Sequence, residues 1–392
     1  MKDAIAKSDA ITDAVMLWYS DRPIPLHRPV FEGNERKYLK DCVDSNFVSS
    51  AGANVAAFEE EVASFCGARY AVATVNGTAA LHASLICCGV ERDTEVLSQA
   101  LTFVATANSI GYAGATPIFI DVDRDTLSMS PEALSSWLKT NTDKHGDRLI
   151  NVNSGAEIRA CLPMHTFGLP GRIEEISSIC AEYGVPLIED AAEALGSFVR
   201  DLHTGTFGIA STLSFNGNKI ITTGGGGMVI TNDASLAHRL RHITTTAKVK
   251  HTYEFFHDEL GYNYRLPNLN ASLGLAQMEV LHEILKIKAE IASNYRQLCL
   301  ENNITYIDGL NGTNPNYWLN AIVLNDREER ELVLKRTNKA GVMTRPIWNL
   351  MTDLPMYQGC QSDGLENSKW LVDRVVNLPS SVPESEFHRL TQ

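Results

Sequence analysis

Ser214-Phe215-Asn216-Gly217-Asn218-Lys219-Ile220-Ile221-Thr222-Thr223-Gly224-Gly225-Gly226-Gly227 sets one lysine between a short apolar stretch and four consecutive glycines. An amine that condenses with an aldehyde must be neutral to attack, which calls for partial desolvation and nearby positive potential. Lys219 is therefore a candidate nucleophile, with the glycines expected to act as a mobile hinge. A solvated loop lysine has the same flanks, so the surrounding chain decides the reading.

Working outward, Thr212–Phe215 and Met228–Thr231 read as strands on either side of the lysine. Upstream, apolar runs and helical stretches alternate: strand 70–75, helix 78–88, strand 95–97, helix 103–112, strand 117–120, strand 160–165, helix 173–183 and strand 185–189. That order implies a mostly parallel sheet covered by helices on both faces. Residues 1 to about 22 read as a helical packing arm ended by Pro23 and Pro25. Helices are also expected at 33–45, 56–66 and 271–302, and a second alternation (strand 318–324, helix 328–340, strand 342–345) closes the chain. The expected division is an arm over 1–30, a large α/β domain over 31–280 and a small α+β lobe over 281–392.

The 392 residues suffice for such a division and for a sizeable core. A net charge of −13 argues against nucleic acid as the main partner, since phosphate backbones need a basic surface. No apolar run reaches the length of a membrane span and no signal-peptide pattern opens the chain, so a cytoplasmic protein is expected. The eight cysteines lack metal-ligand spacing and form no C-x-x-C pair, which predicts free thiols and no metal.

Two further motifs bear on Lys219. Asn76-Gly77-Thr78-Ala79-Ala80 falls where a strand turns into a helix; glycine there permits close backbone approach, and the helix start favours a phosphate with Thr78 as an extra donor. An ordinary helix cap would read the same way. Glu189-Asp190-Ala191-Ala192-Glu193 follows the apolar Val185–Ile188, the end of a parallel strand, where α/β sheets place ligands. A carboxylate at Asp190, aimed at a pyridine nitrogen, would keep that nitrogen protonated; helix capping is again the alternative. With Ser214 as a further phosphate donor, the order of phosphate site, carboxylate and lysine fits pyridoxal 5′-phosphate better than a nucleotide loop, because Gly224–Gly227 lacks the Gly-Lys-Ser/Thr of a P-loop.

The residues Val75–Leu81, Leu101–Asn108, Glu189–Gly196, Ser214–Gly227 and Gly261–Asn268 together resemble the sugar aminotransferases of the DegT/DnrJ/EryC1/StrS family, over about residues 25–381. The resemblance implies a fold type I enzyme, a homodimer with shared active sites, and transfer of an amino group from L-glutamate to a keto group of a nucleotide-linked deoxysugar. It also implies that Phe103 stacks on the cofactor, that Glu193, where many relatives have Gln, lies near the cofactor's ring oxygen, and that Asn263 reaches the partner's cofactor phosphate. His257, Arg265, Arg345 and Trp348 are candidates for the nucleotide-sugar pocket, since guanidinium groups suit phosphates and aromatics stack on bases or sugars. Pro25–Pro29, Gly33-Asn34-Glu35, Thr344–Trp348 and Asn377–Ser381 look like the branch that aminates C4 of UDP- or GDP-4-keto-6-deoxy-N-acetylglucosamine toward legionaminic acid or bacillosamine-type sugars. Amination at C3 is the alternative. A dehydratase on the same fold would carry histidine in place of Lys219, and a non-catalytic nucleotide-sugar sensor would not need the lysine, the carboxylate and the phosphate motif together.

Overall fold

The computed structural model describes residues 2–20 and 22–391. Among them, seven strands form the central sheet in the spatial order Tyr70–Thr74, Gly227–Thr231, Ala210–Ser214, Ile188–Asp190, Ile158–Leu162, Glu95–Gln99, Thr116–Ile120. Single bridges, Cys161 to Leu187 and Met164 to Asp190, join the two ladders in the middle. Every pairing is parallel except the two made by Gly227–Thr231, which runs against both neighbours. The mostly parallel sheet expected from the alternation is present, with helices on both faces. All five residues of Glu95–Gln99 and of Gly227–Thr231 are buried, as strands covered on both sides must be.

Four helices begin where short polar side chains take up free amides. Asn76, Ser130, Asp233 and Asp326 accept from Ala79, Ala133, Leu236 and Glu329. Gly67 and Gly184, at φ 67° and 72°, end two helices in the left-handed conformation. Helices Pro131–Asn141, Ala234–Thr244 and Glu366–Val372 and the hairpins at 142–151 and 198–203 were not expected.

The second half of the glycine run, Gly226 and Gly227, is packed in place, which a hinge would not require. Gly224 makes a turn at φ 78°, and Gly227 is already the first residue of the buried antiparallel strand. A Cβ on Gly227 would sit 2.4 Å from the carbonyl of Asn76, so glycine is needed for the strand to lie against the Asn76–Gly77 turn.

Helix Asn268–Glu301 runs 34 residues, straight through position 280. Its first half packs on helices Glu35–Asp44 and Ala53–Cys66, and its far end meets a four-stranded antiparallel sheet in the order Thr305–Ile307, Asn320–Val323, Val375–Leu378, Arg345–Pro346. Helix Lys2–Trp18 packs on Arg327–Lys339, with Ile11 and Val15 fully buried and Lys7 Nζ 2.8 Å from Glu329 Oε1. All eight cysteines are free thiols, five of them buried. No described helix is long and apolar enough to cross a membrane.

Candidate active site

A cavity of about 340 Å³ opens where strands Ile188–Asp190 and Ala210–Ser214 end and helix Gly77–Cys87 begins. Its lining brings together Gly77, Thr78, Phe103, Asp190, Glu193, Ser214 and Lys219, seven residues spread over more than a hundred positions. A larger open groove of about 810 Å³ lies between helix Pro131–Asn141 and residues 361–367, but it holds none of these side chains. Chemistry, not volume, selects the site.

Asp190 is the last residue of its strand and is almost completely buried. Thr106 Oγ1 donates to its Oδ2 at 2.7 Å and the Ala192 amide to its Oδ1 at 3.1 Å. Burial raises the carboxyl's pKa; Thr106, Ala192, Lys219 and His165 pull the other way. Among the described residues no cation contacts Asp190. A buried carboxylate of this kind calls for a positively charged partner. Its neighbour Glu189 points to the other face, as adjacent strand residues do, and is sealed there by His165 Nε2 (3.0 Å) and by the amides of Gly205, Phe207 and Gly208 (2.7, 2.8 and 2.8 Å). Of two adjacent acids, only Asp190 faces the cavity.

Lys219 Nζ lies 3.1 Å from Glu193 Oε1 and 4.1 Å from the centroid of the Trp318 ring. The sequence led to an expectation of positive potential beside this amine; the structure instead places a carboxylate and an aromatic face there. Glu193 Oε2 accepts from the Phe167 amide at 2.9 Å, and burial raises its carboxyl's pKa against the opposing pull of Lys219 and that amide. Trp318 Nε1 donates to the Asn218 carbonyl at 2.7 Å, which ties the tryptophan to the lysine loop.

The donor set fits pyridoxal 5′-phosphate. Gly77 and Thr78 open helix Gly77–Cys87, so their amides have no intrahelical partner, and both residues line the cavity with Ser214. A Cβ on Gly77 would come within 3.0 Å of Ser214 Cβ and narrow that cradle. Phe103, 47 % exposed at the cavity wall, offers a bare aromatic face. Asp190 supplies the buried carboxylate that a ring N–H requires.

A second cavity, of about 540 Å³, adjoins the first and shares Phe103, Asn218, Trp318 and Trp348 with it. Arg345, His27 and Asn377 also line it. Trp348 packs against Phe103 and Phe167, at centroid distances of 6.1 and 5.1 Å. Three expected site residues line neither cavity. His257 lies in an exposed loop with Nδ1 2.7 Å from the Thr246 carbonyl oxygen. Arg265 is spent on Glu59, at 2.7 Å. Asn263 is exposed and bridges to Thr245.

Sequence reasoning missed Thr106, Trp318 and His27. Thr106 and His27 fall within quoted motifs, but neither spacing nor residue type showed that a threonine would hold Asp190. Thr106→Val removes a hydrogen bond to a charged group, worth about 1.5–3 kcal/mol. With about half of that reaching the barrier, turnover falls about three- to tenfold, which steady-state rates at unchanged protein fold would show.

The family model for DegT/DnrJ/EryC1/StrS aminotransferases matches residues 29–386. The chain belongs to that family. The GDP-perosamine synthase of Escherichia coli O157:H7 is 35 % identical over 363 residues, 91 % of this chain and 93 % of that protein. A protein of Bacillus subtilis named as the putative pyridoxal phosphate-dependent aminotransferase EpsN is 35 % identical over 86 % of this chain and 84 % of its own length. Among solved structures, the aminotransferase TlmJ from Streptoalloteichus hindustanus superposes with a TM-score of 0.83 at 26 % identity, covering 94 % of this chain and 96 % of that one. In this aminotransferase, the lysine, the buried aspartate and the helix start meet in one cavity beside a second.

Proposed function

We propose that this aminotransferase moves the amino group of L-glutamate to C4 of a nucleotide-linked 4-keto-6-deoxy sugar, with GDP as the nucleotide. The observation that carries the reading is the pair of joined cavities, one built around Lys219 and Asp190, the other walled by Trp348 and rimmed by Arg345. A relative named as a GDP-perosamine synthase, matched over nearly its whole length, supports GDP and C4. The competing substrate is the N-acetylated UDP- or GDP-linked keto sugar of the legionaminic acid and bacillosamine branch.

The cofactor, pyridoxal 5′-phosphate, supplies an aldehyde that takes up the amino group and a ring that accepts an electron pair. The chain's own groups do the rest. With the cofactor bound, the helix-start amides at Gly77 and Thr78, with Ser214, would hold its phosphate, Phe103 would lie against the ring, and Asp190, fixed by Thr106 and Ala192, would keep a proton on the ring nitrogen. Lys219 Nζ would be the amine that holds the cofactor and, when free, would take a proton from the carbon that gives up the amino group and, in the second half-reaction, return one to the carbon that receives it. Glu193 orients that amine and Trp318 shields it from water. In the second cavity the Arg345 guanidinium suits a diphosphate and Trp348 a sugar or base face.

In this reading Asn263, exposed and outside the cavities of its own chain, serves the partner's phosphate in a homodimer. Mixed Lys219→Ala and Asn263→Ala subunits should then recover activity above either parent, because a heterodimer carries one intact site. No recovery after proven subunit exchange would show that Asn263 does not cross.

The function itself is tested by assaying 2-oxoglutarate formation from L-glutamate across GDP- and UDP-linked 4-keto-6-deoxy sugars, with and without the 2-N-acetyl group, and with 3-keto sugars as controls. Preference for the GDP-linked 4-keto sugar is expected. Turnover only with a 3-keto sugar would overturn the C4 assignment.

A further inference from the structure

Lys288 sits in the middle of helix Asn268–Glu301, 1 % exposed, and no ion pair involves it among the described residues. Its Nζ donates to two backbone carbonyls, Trp318 O at 3.1 Å and Ser380 O at 2.5 Å. Burial draws the pKa of this amine down to about 7. The groups facing it are His27, itself held far below the usual histidine range by burial and by the Lys288 charge, and Lys219 beyond. An amine this buried, without an acid, is expensive to keep in a helix unless its hydrogen bonds hold something in place.

What it holds is the wall of the larger cavity. Trp318 supplies the ring between the two cavities. Ser380 is a junction: its amide donates to the Leu26 carbonyl at 2.8 Å, and its Oγ accepts from both the amide and the side chain of Asn320 at 2.9 Å. Next to it, Ser381 Oγ accepts from the Arg28 amide at 3.0 Å. One amine thus joins two distant chain segments, 318–320 and 377–381, the second of which in turn holds 26–28, and all three contribute to the wall, through Leu26, His27, Trp318 and Asn377.

We propose that Lys288 is a positioning residue for the sugar nucleotide: by tying Trp318 to Ser380 it fixes the wall on which the acceptor docks, without touching the acceptor. The assignment of this cavity to the sugar nucleotide rests on the function proposed above. Lys288→Met removes both hydrogen bonds and leaves no buried charge; Lys288→Gln keeps a shorter donor. With the holoenzyme, Lys288→Met is expected to raise KM for the keto-sugar nucleotide about tenfold while the single-turnover rate with L-glutamate stays within about twofold, and Lys288→Gln should recover part of the loss. Hydrogen exchange gives a reading independent of turnover: the Ser380 and Asn320 amides should exchange faster in both variants than in the parent, with amides of the central sheet unchanged. A parent enzyme inactive on every keto sugar would refute the functional reading while leaving the exchange arm to decide the role of Lys288. Unchanged exchange at Ser380 and Asn320, or an equal fall in the glutamate and sugar steps, overturns the proposal, and if Lys288→Met does not fold, Lys288→Gln is read by the same criteria.

Discussion

Lys219→Ala is expected to lose amine transfer by about a thousandfold or more, because in the proposed mechanism the anchoring amine and the proton carrier are one atom. The fold should survive. Removing the ammonium leaves Glu193 buried without its partner, but burial already raises that carboxyl's pKa, so it takes up a proton instead of remaining as an unpaired charge. The consequence is a pH signature. With a folded pKa above the unfolded value near 4.5, protonation of Glu193 favours the folded state, so this group's contribution to stability is full below the unfolded value and is lost as pH rises through the folded pKa. The variant should therefore lose thermal stability with rising pH more steeply than the parent, whose Lys219 opposes the shift. Thermal unfolding between acid and neutral pH checks this, and parallel curves would show that the Lys219–Glu193 pair is not coupled as described.

Asp190→Asn is the second large effect. The amide keeps the size of the side chain but cannot hold a proton on the ring nitrogen as an anion, so turnover is expected to fall by about a hundredfold or more with cofactor still bound. Stability should change little, for two opposing reasons. With asparagine the Ala192 amide still donates to the side-chain oxygen and the Thr106 hydroxyl turns to accept from the N–H, so two charge-assisted bonds become neutral ones, at about 1 kcal/mol each. Against that, a buried charge whose pKa burial has raised is removed. A variant within about twofold of the parent, about 0.4 kcal/mol in barrier, would make Asp190 a structural group.

Much of this site was legible because its residues stand at strand ends, where apolar runs stop abruptly. Val185–Ile188 before Asp190 and the strand before Lys219 each point to one edge of a parallel sheet, and the alternation supplied the sheet. What escaped notice has a common cause: it depends on contacts between segments remote in sequence. Trp318 lies 99 residues beyond Lys219 yet covers its amine, and nothing near either residue announces the meeting. Glu189 and Asp190 look equally functional in the chain; only the alternation of side chains, with His165 and three amides waiting on one face, separates the structural acid from the one in the cavity. In the sequence the glycine run reads as a hinge, because the reason for Gly227, its close approach to Asn76, is a tertiary contact. Some missed helices did carry signals: Ser130-Pro131 and Asp233 are ordinary helix starts.

Borohydride reduction of the purified holoenzyme, followed by proteolysis and mass spectrometry, tests the central claim most directly. The account predicts loss of the visible absorption band and one covalently attached, reduced cofactor, carried by the peptide that contains Lys219. Attachment to another lysine, such as the buried Lys288, or no attachment at all in protein that retains the cofactor, would contradict it.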